Sequence, residues 1–248
     1  MLQKKRLISI DISRGTYDDF VSAVLKYAKA KISSYVCVAN VHMVVEAYEH
    51  PDFAEIVNSA DIVTPDGMPL TKAIKALYRE DQERVDGMSL LPILLDESQK
   101  NNLSVYFYGS SQETLDETSN HLKTNYPNLQ IAGMYSPPFR QLTTEEEEEI
   151  AVKITASGAN ILFVVLGCPK QERWMAAMKG KIPAIMLGIG GALPVLIGQQ
   201  KRAPEWMQKN SLEWLYRLAQ EPSRLFKRYF KTNTMFLYLM AKEKLKKN

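Results

Sequence analysis

A chain of 248 residues, 46% hydrophobic and 24% charged, can bury a sizeable core and is too apolar to be disordered throughout. Its two cysteines, Cys37 and Cys168, have no histidine at ligand spacing beside them, which excludes a zinc site or disulfide framework and suits a reducing compartment. The net charge of +3 hides an asymmetry, because residues 200–248 carry +8 and the rest −5, so the tail calls for an anionic partner.

The basic start, Met1 to Arg6, lacks the apolar core and small-residue cleavage site of a signal peptide, and no apolar run reaches the ~18 residues of a membrane span. Residues 7–11 read as a short strand. Over 17–30, apolar residues at 17, 20, 21, 24, 25 and 28 fall at helical spacing. An apolar strand over 35–39 ends at Asn40, which suits a helix N-cap, and a helix follows over 41–48. Pro51 opens the next helix, to 58. A strand over 61–64 runs into Pro65-Asp66-Gly67, by composition a plain β-turn. Helices fit 68–78 and 87–100, with Arg84 between them as a surface cation.

In the second half, a strand over 103–108 leads through Gly109-Ser110-Ser111 into a polar helix from 112. A weaker strand at 131–134 precedes an irregular Ser136-Pro137-Pro138. Thr143 or Thr144 caps a helix whose first turns hold Glu145 to Glu149, a solvated face that complements the helix dipole. The apolar run 161–166 ends at Gly167, with Pro169 at the first helical position and Lys170, Gln171 and Glu172 in the first turn. A last strand, 184–187, meets Gly188-Ile189-Gly190-Gly191-Ala192. Strands alternating with helices predict a Rossmann-like α/β fold, a mostly parallel sheet with helices on both faces.

Three glycine turns on one sheet would line a crevice at its carboxyl edge with backbone N–H groups, a setting for a phosphate or nucleotide; the plainer reading is three tight βα turns. Cys37 reads as core. Cys168 has no visible partner base and is a poor candidate nucleophile.

Lys201-Arg202-Ala203-Pro204 breaks the pattern, so the division expected is a core over 1–199 and a basic appendage over 200–248. A helix begins near Leu212, and Pro222 interrupts or restarts it. Leu225, Tyr229, Phe236 and Met240 can share one face with cations at its sides, which fits a helix lying on an anionic membrane surface; the alternative is docking on the protein's own core or on another subunit. Nucleic acid fits poorly, because the cations are interleaved with an apolar stripe.

The chain resembles the WecG/TagA/CpsF glycosyltransferases, glycosyltransferase family 26. The resemblance rests on Ala39-Asn40, Thr64-Pro65-Asp66-Gly67, Glu83-Arg84-Val85-Asp86-Gly87, Tyr108-Gly109-Ser110, Leu166 to Glu172, Gly188-Ile189-Gly190-Gly191, Lys201-Arg202-Ala203-Pro204, and Leu212 to Leu218 with Glu221-Pro222. These run in the family's order over nearly the whole chain. The resemblance implies an inverting transfer from a UDP-sugar donor to a polyprenyl-diphosphate-linked saccharide acceptor, performed peripherally on the cytoplasmic face of the cell membrane, with no cofactor and no metal. It also implies Asp66 as the base, Arg217 and Arg224 as cations closing on the diphosphate, and Asn40, Arg84, Gly109, Ser110, Gly167, Lys170, Gln171, Gly190 and Gly191 as substrate contacts. Relatives form dimers or larger assemblies, so a homo-oligomer is a further expectation.

Departures from the family pattern are Val38 where a threonine is common, Asp86 where a small residue is common, Ala192-Leu193-Pro194 where Phe-Asp often stands, and Ser136-Pro137-Pro138-Phe139. They lean the donor towards a hexose such as glucose in exopolysaccharide assembly, over N-acetylmannosamine or its uronic acid. Two other classes stand beside this reading. A nicotinamide-dependent oxidoreductase would use Gly188 to Gly191, which lacks the full dinucleotide spacing. A non-catalytic membrane adaptor would use the basic tail.

Overall fold

The structure is a computed structural model that describes residues 2–247. The chain forms two compact units. Of the described residues, the first takes those up to Phe20, Val38–Asp86, and those from Lys201 on; the second takes Val21–Cys37 and Gly87–Gln200.

The chain opens with β1 (Lys4–Leu7) and β2 (Ile10–Ser13), an antiparallel hairpin in which Leu7 pairs with Ile10. The single strand expected over 7–11 is therefore two strands with a turn at Ile8 and Ser9, and Ile8 takes a left-handed φ of 58°. The reason is burial. Leu7, Ile10 and Ile12 are all fully buried, whereas an unbroken strand would point residue 7 away from 10 and 12.

The remaining elements follow largely as the sequence predicts. They are α1 (Tyr17–Lys29), β3 (Ser34–Ala39), α2 (Val41–Glu49), α3 (Pro51–Asn58), β4 (Ile62–Pro65), α4 (Met68–Tyr78), α5 (Gly87–Lys100), β5 (Ser104–Gly109), α6 (Gln112–Asn125) and β6 (Gln130–Tyr135). After these come α7 (Thr144–Ala156), β7 (Ile161–Val165), α8 (Lys170–Met178), β8 (Ile185–Gly188), α9 (Ala192–Leu196), α10 (Glu205–Lys209), α11 (Glu213–Gln220) and α12 (Pro222–Lys247). Thr143, not Thr144, is the cap of α7, and it forms a reciprocal capping box with Glu146. Pro169 is the N-cap of α8 and stands one position before the first helical turn expected for it.

The fold is α/β, with a six-stranded parallel sheet in the order β4-β3-β8-β7-β5-β6 and helices flanking it. Every residue of β3 and β8 is buried, as strands covered on both faces require. The registers place Gly109 beside Val165 and Val164 beside Gly188, so β5, β7 and β8 end together and present their turns on one edge.

In the first unit, α12 packs against α2 and α4 with Leu225, Thr232, Phe236 and Leu239 buried, and Tyr229 and Met240 half-buried. The face expected to meet a membrane is thus turned onto the protein. The opposite side exposes Phe226, Phe230, Leu237 and Tyr238. Among the described residues, no helix is long and apolar enough to cross a membrane.

Candidate active site

Asp66 stands where β4 leaves the sheet and turns towards α4. Its N–H donates to the Ala39 carbonyl at 2.9 Å, and its own carbonyl accepts from Arg84 Nε at 2.5 Å. One residue earlier, the Pro65 carbonyl accepts from the Val85 N–H at 3.0 Å. The turn is therefore pinned by its main chain on both sides. Asn40 caps α2, its Oδ1 accepting from the Met43 N–H at 3.2 Å, so the capping role is filled and its amide nitrogen remains as a donor.

Arg84 is held at two further points. One Nη donates to Glu213 Oε2 at 2.5 Å, and Asp86 lies 3.9 Å from its Nε. Asp86 is buried and accepts from Arg202 at 3.0 Å. Burial works to lower the Arg84 pKa, but the carboxylates of Asp66, Asp86 and Glu213 outweigh it and hold the guanidinium above its usual range. Tyr17 belongs to the same neighbourhood. Its phenol oxygen is buried without a hydrogen-bond partner, and its pKa is pushed upwards, first by burial and then by the charge of Asp86.

In the second unit, the turns after β5, β7 and β8 form a second group. The expected lining of projecting N–H groups is mostly absent, for a physical reason. The Ser110 N–H donates to the Val165 carbonyl at 2.9 Å, Ile189 and Gly190 both donate to the Val164 carbonyl, and the Gly167 N–H donates to Gln171 Oε1 at 3.1 Å. The N–H groups of Ser110, Ile189 and Gly190 tie strand ends to their neighbours, and that of Gly167 closes its own turn onto Gln171. Gly109, at φ 108°, cannot carry a side chain, since a Cβ would fall 2.5 Å from the Val165 carbonyl oxygen.

Gln171 is the centre of this group and is neither helix surface nor an exposed ligand. Its amide is buried, with Oε1 on Gly167 and Nε2 donating to Glu172 Oε1 at 2.8 Å. Gly188 makes room for it, because a Cβ at 188 would meet Nε2 at 2.7 Å. Glu172 is completely buried. Burial raises its pKa to about 7, against the lowering pull of hydrogen bonds from Gln171 and the Cys168 thiol, and its Oε2 has no partner. Lys170 is exposed at the start of α8, and Gly191 is the N-cap of the short α9.

Arg217 lies in the last turn of α11. Arg224, near the start of α12, is tied to Glu221 at 2.5 and 2.8 Å. Among the described residues, Glu46, Glu49 and His50 are the one group with three metal-capable ligand atoms close together, and Glu49 is taken by Lys231 at 2.7 Å.

The sequence model described as the "Glycosyl transferase WecG/TagA/CpsF family" matches residues 5–248. The chain belongs to the WecG/TagA/CpsF glycosyltransferase family. Among its relatives, a protein of Bacillus spizizenii is 32% identical over 90% of this chain and 86% of its own length. One of Bacillus subtilis is 27% identical over 99% and 94%, and one of Staphylococcus aureus strain MW2 is 29% identical over 98% and 94%. All three carry the name N-acetylglucosaminyldiphosphoundecaprenol N-acetyl-beta-D-mannosaminyltransferase.

Within this WecG/TagA/CpsF fold, the structure brings Asn40, Asp66 and Arg84 into one neighbourhood of the first unit. It brings Gly109, Ser110, Gly167, Gln171 and Gly190 onto one edge of the second. Sequence reasoning missed Tyr17, Asp86, Arg202, Glu213 and Glu172 as partners of these residues. Glu172 had a readable signal, an acid packed directly behind Gln171 in a first helical turn. Glu213 had none, since it meets Arg84 across 129 residues of chain.

Proposed function

We propose that this family member transfers N-acetylmannosamine from its UDP derivative to a polyprenyl-diphosphate-linked saccharide in cell-surface polymer synthesis, by a single inverting displacement. The acceptor hydroxyl attacks the anomeric carbon, the Asp66 carboxylate takes the hydroxyl proton, and UDP leaves from the opposite face. Arg217 and Arg224 offset the charge that develops on the leaving diphosphate, Arg224 exchanging Glu221 for it. Asn40 offers its amide to a sugar hydroxyl. Lys170, Gly191 and the turns at Gly109, Ser110, Gly167 and Gly190 serve the nucleotide, with Gln171 holding two of those turns in register.

The observation that carries this reading is the pinned Asp66 turn, since a base must be held within hydrogen-bond reach of the proton it removes. The names of the relatives support the acceptor class and favour N-acetylmannosamine as donor over the hexose first expected. The hexose reading keeps one foothold, because Ala192 and Leu193 are buried in place of the family's more polar pair.

For the membrane we propose the outward face of α12. Phe226 and Phe230 stack there at 6.3 Å, with Lys227 beside them and Leu237 on the same side of the helix. Binding there would place the enzyme peripherally on the inner face of the cell membrane, where its lipid-linked acceptor lies.

The test is UDP release from a donor panel that includes UDP-N-acetylmannosamine and UDP-glucose, with a short polyprenyl-diphosphate-linked N-acetylglucosamine as acceptor. Release with the first donor, lost in Asp66→Asn, is the expected result. Release with UDP-glucose alone would move the donor assignment, and no release with any donor would overturn the reading.

A further inference from the structure

Arg84 lies beside the proposed base and has the chemistry of a substrate contact, yet its Nε and one Nη are engaged inside the protein. Nε donates to the Asp66 main-chain carbonyl at 2.5 Å, one Nη donates to Glu213 at 2.5 Å, and the Asp86 carboxylate lies near the Nε side at 3.9 Å as a charge neighbour. The site is nearly dry, with the Arg84, Glu213 and Asp86 side chains 14%, 17% and 7% exposed. Asp86 is itself anchored by Arg202. A planar guanidinium can hold two acceptors in fixed directions at once, here one on the main chain and one on a side chain. Releasing the side-chain bond would leave the Glu213 carboxylate without its partner in a poorly hydrated place, which is costly, so the bond to the Asp66 carbonyl is held firmly.

Charge points the same way. Three carboxylates, Asp66, Asp86 and Glu213, compensate the guanidinium, and its short bond at Nε goes to the main chain of residue 66. It braces the peptide that carries the base.

We infer that Arg84, Asp86 and Glu213 are positioning residues that set the Asp66 turn through its main-chain carbonyl. This rests on the reading of Asp66 as the base. It also gives Glu213, in the first turn of α11, a role that its position in the sequence does not disclose. A misplacement of about 1 Å in a reacting group costs on the order of 100-fold in rate, so the brace acts on turnover and leaves affinity alone.

The experiment compares wild type with Arg84→Lys, Glu213→Gln, Asp86→Asn and the Arg84→Lys/Glu213→Gln pair, using the donor that wild type accepts. Each single variant is expected to lose about 10- to 100-fold in kcat with the donor KM within about twofold, and the pair is expected to be no worse than the poorer single variant. A raised donor KM at preserved kcat in Arg84→Lys, with Glu213→Gln unaffected, would make Arg84 a ligand and overturn the inference. Multiplying effects in the pair would overturn it too.

Amide hydrogen exchange in peptides covering residues 62–67 gives a readout that needs no turnover. Faster exchange there in Glu213→Gln and Asp86→Asn, with global melting within a few degrees of wild type, supports the brace; unchanged protection refutes it. A wild type that releases no UDP from any donor would refute the transferase reading, and the exchange data would still decide whether the brace exists.

Discussion

Around Asp66 the geometry is held by ions drawn from far along the chain: Arg84, Asp86, Arg202 and Glu213. On the glycine edge of the second unit it is held by absent side chains and by one buried amide, with the contacts around residues 167, 171, 172, 188 and 190 all local to the strand ends. The first arrangement can be loosened one charge at a time while the fold survives, because amide or lysine replacements keep its shape and much of its hydrogen bonding. The second is steric and fails through folding.

The largest expected effect tests the first half of this contrast. Asp66→Asn keeps size and the main-chain bonds and removes the base, so kcat should fall by about 10²- to 10⁴-fold while the urea midpoint stays put. A large loss of stability would show that the side chain serves the turn. Next, Gly109→Ala should destabilise by about 3–4 kcal/mol in urea titration, because it adds a clash with the Val165 carbonyl to a left-handed backbone. A nearly neutral result would break the claim that the glycine edge is steric.

Glu172 sharpens the comparison by pH. Its folded-state pKa is raised from 4.5 to about 7, so the folded chain binds the proton more tightly than the unfolded chain. The stability this lends is complete below about pH 4.5 and drains away as pH rises to about 7, by up to about 3 kcal/mol. Glu172→Gln should flatten that slope between pH 5 and 7 in denaturant titrations, since an amide can still accept from Gln171 but cannot ionise. The smallest effect comes from Lys231→Ala, which breaks an ion pair with Glu49 whose lysine is 59% exposed. It should move stability by less than about 1 kcal/mol, so charge in the first unit matters where it is buried around Arg84 and little at the surface.

The alternation of strands and helices was legible because each element carries its own period, and the caps at Asn40 and Thr143 and the restart at Pro222 are local chemistry. Local reading failed where a tertiary partner decided the outcome. Residues 7–11 look continuous until burial demands that Leu7 and Ile10 share a face. The stripe from Leu225 to Met240 is apolar for a surface, but only packing against α2 and α4 reveals that the surface is the protein's own. Of the candidate residues, Asp66 was reachable only through the family resemblance, since Pro-Asp-Gly alone reads as a turn. Gln171 was named for its type, and its burial depends on Gly188, seventeen positions away, lacking a side chain.

An apolar outer face on α12, opposite an apolar inner one, also governs how the molecule behaves in a tube. With Phe226, Phe230, Leu237 and Leu245 open to water, concentrated protein should self-associate through this face and sediment as heterogeneous species. A non-ionic detergent below its micelle-forming ratio to protein should leave those species in place, and enough to coat one helix per chain should disperse them. Added salt, which screens the neighbouring lysines, should enlarge them.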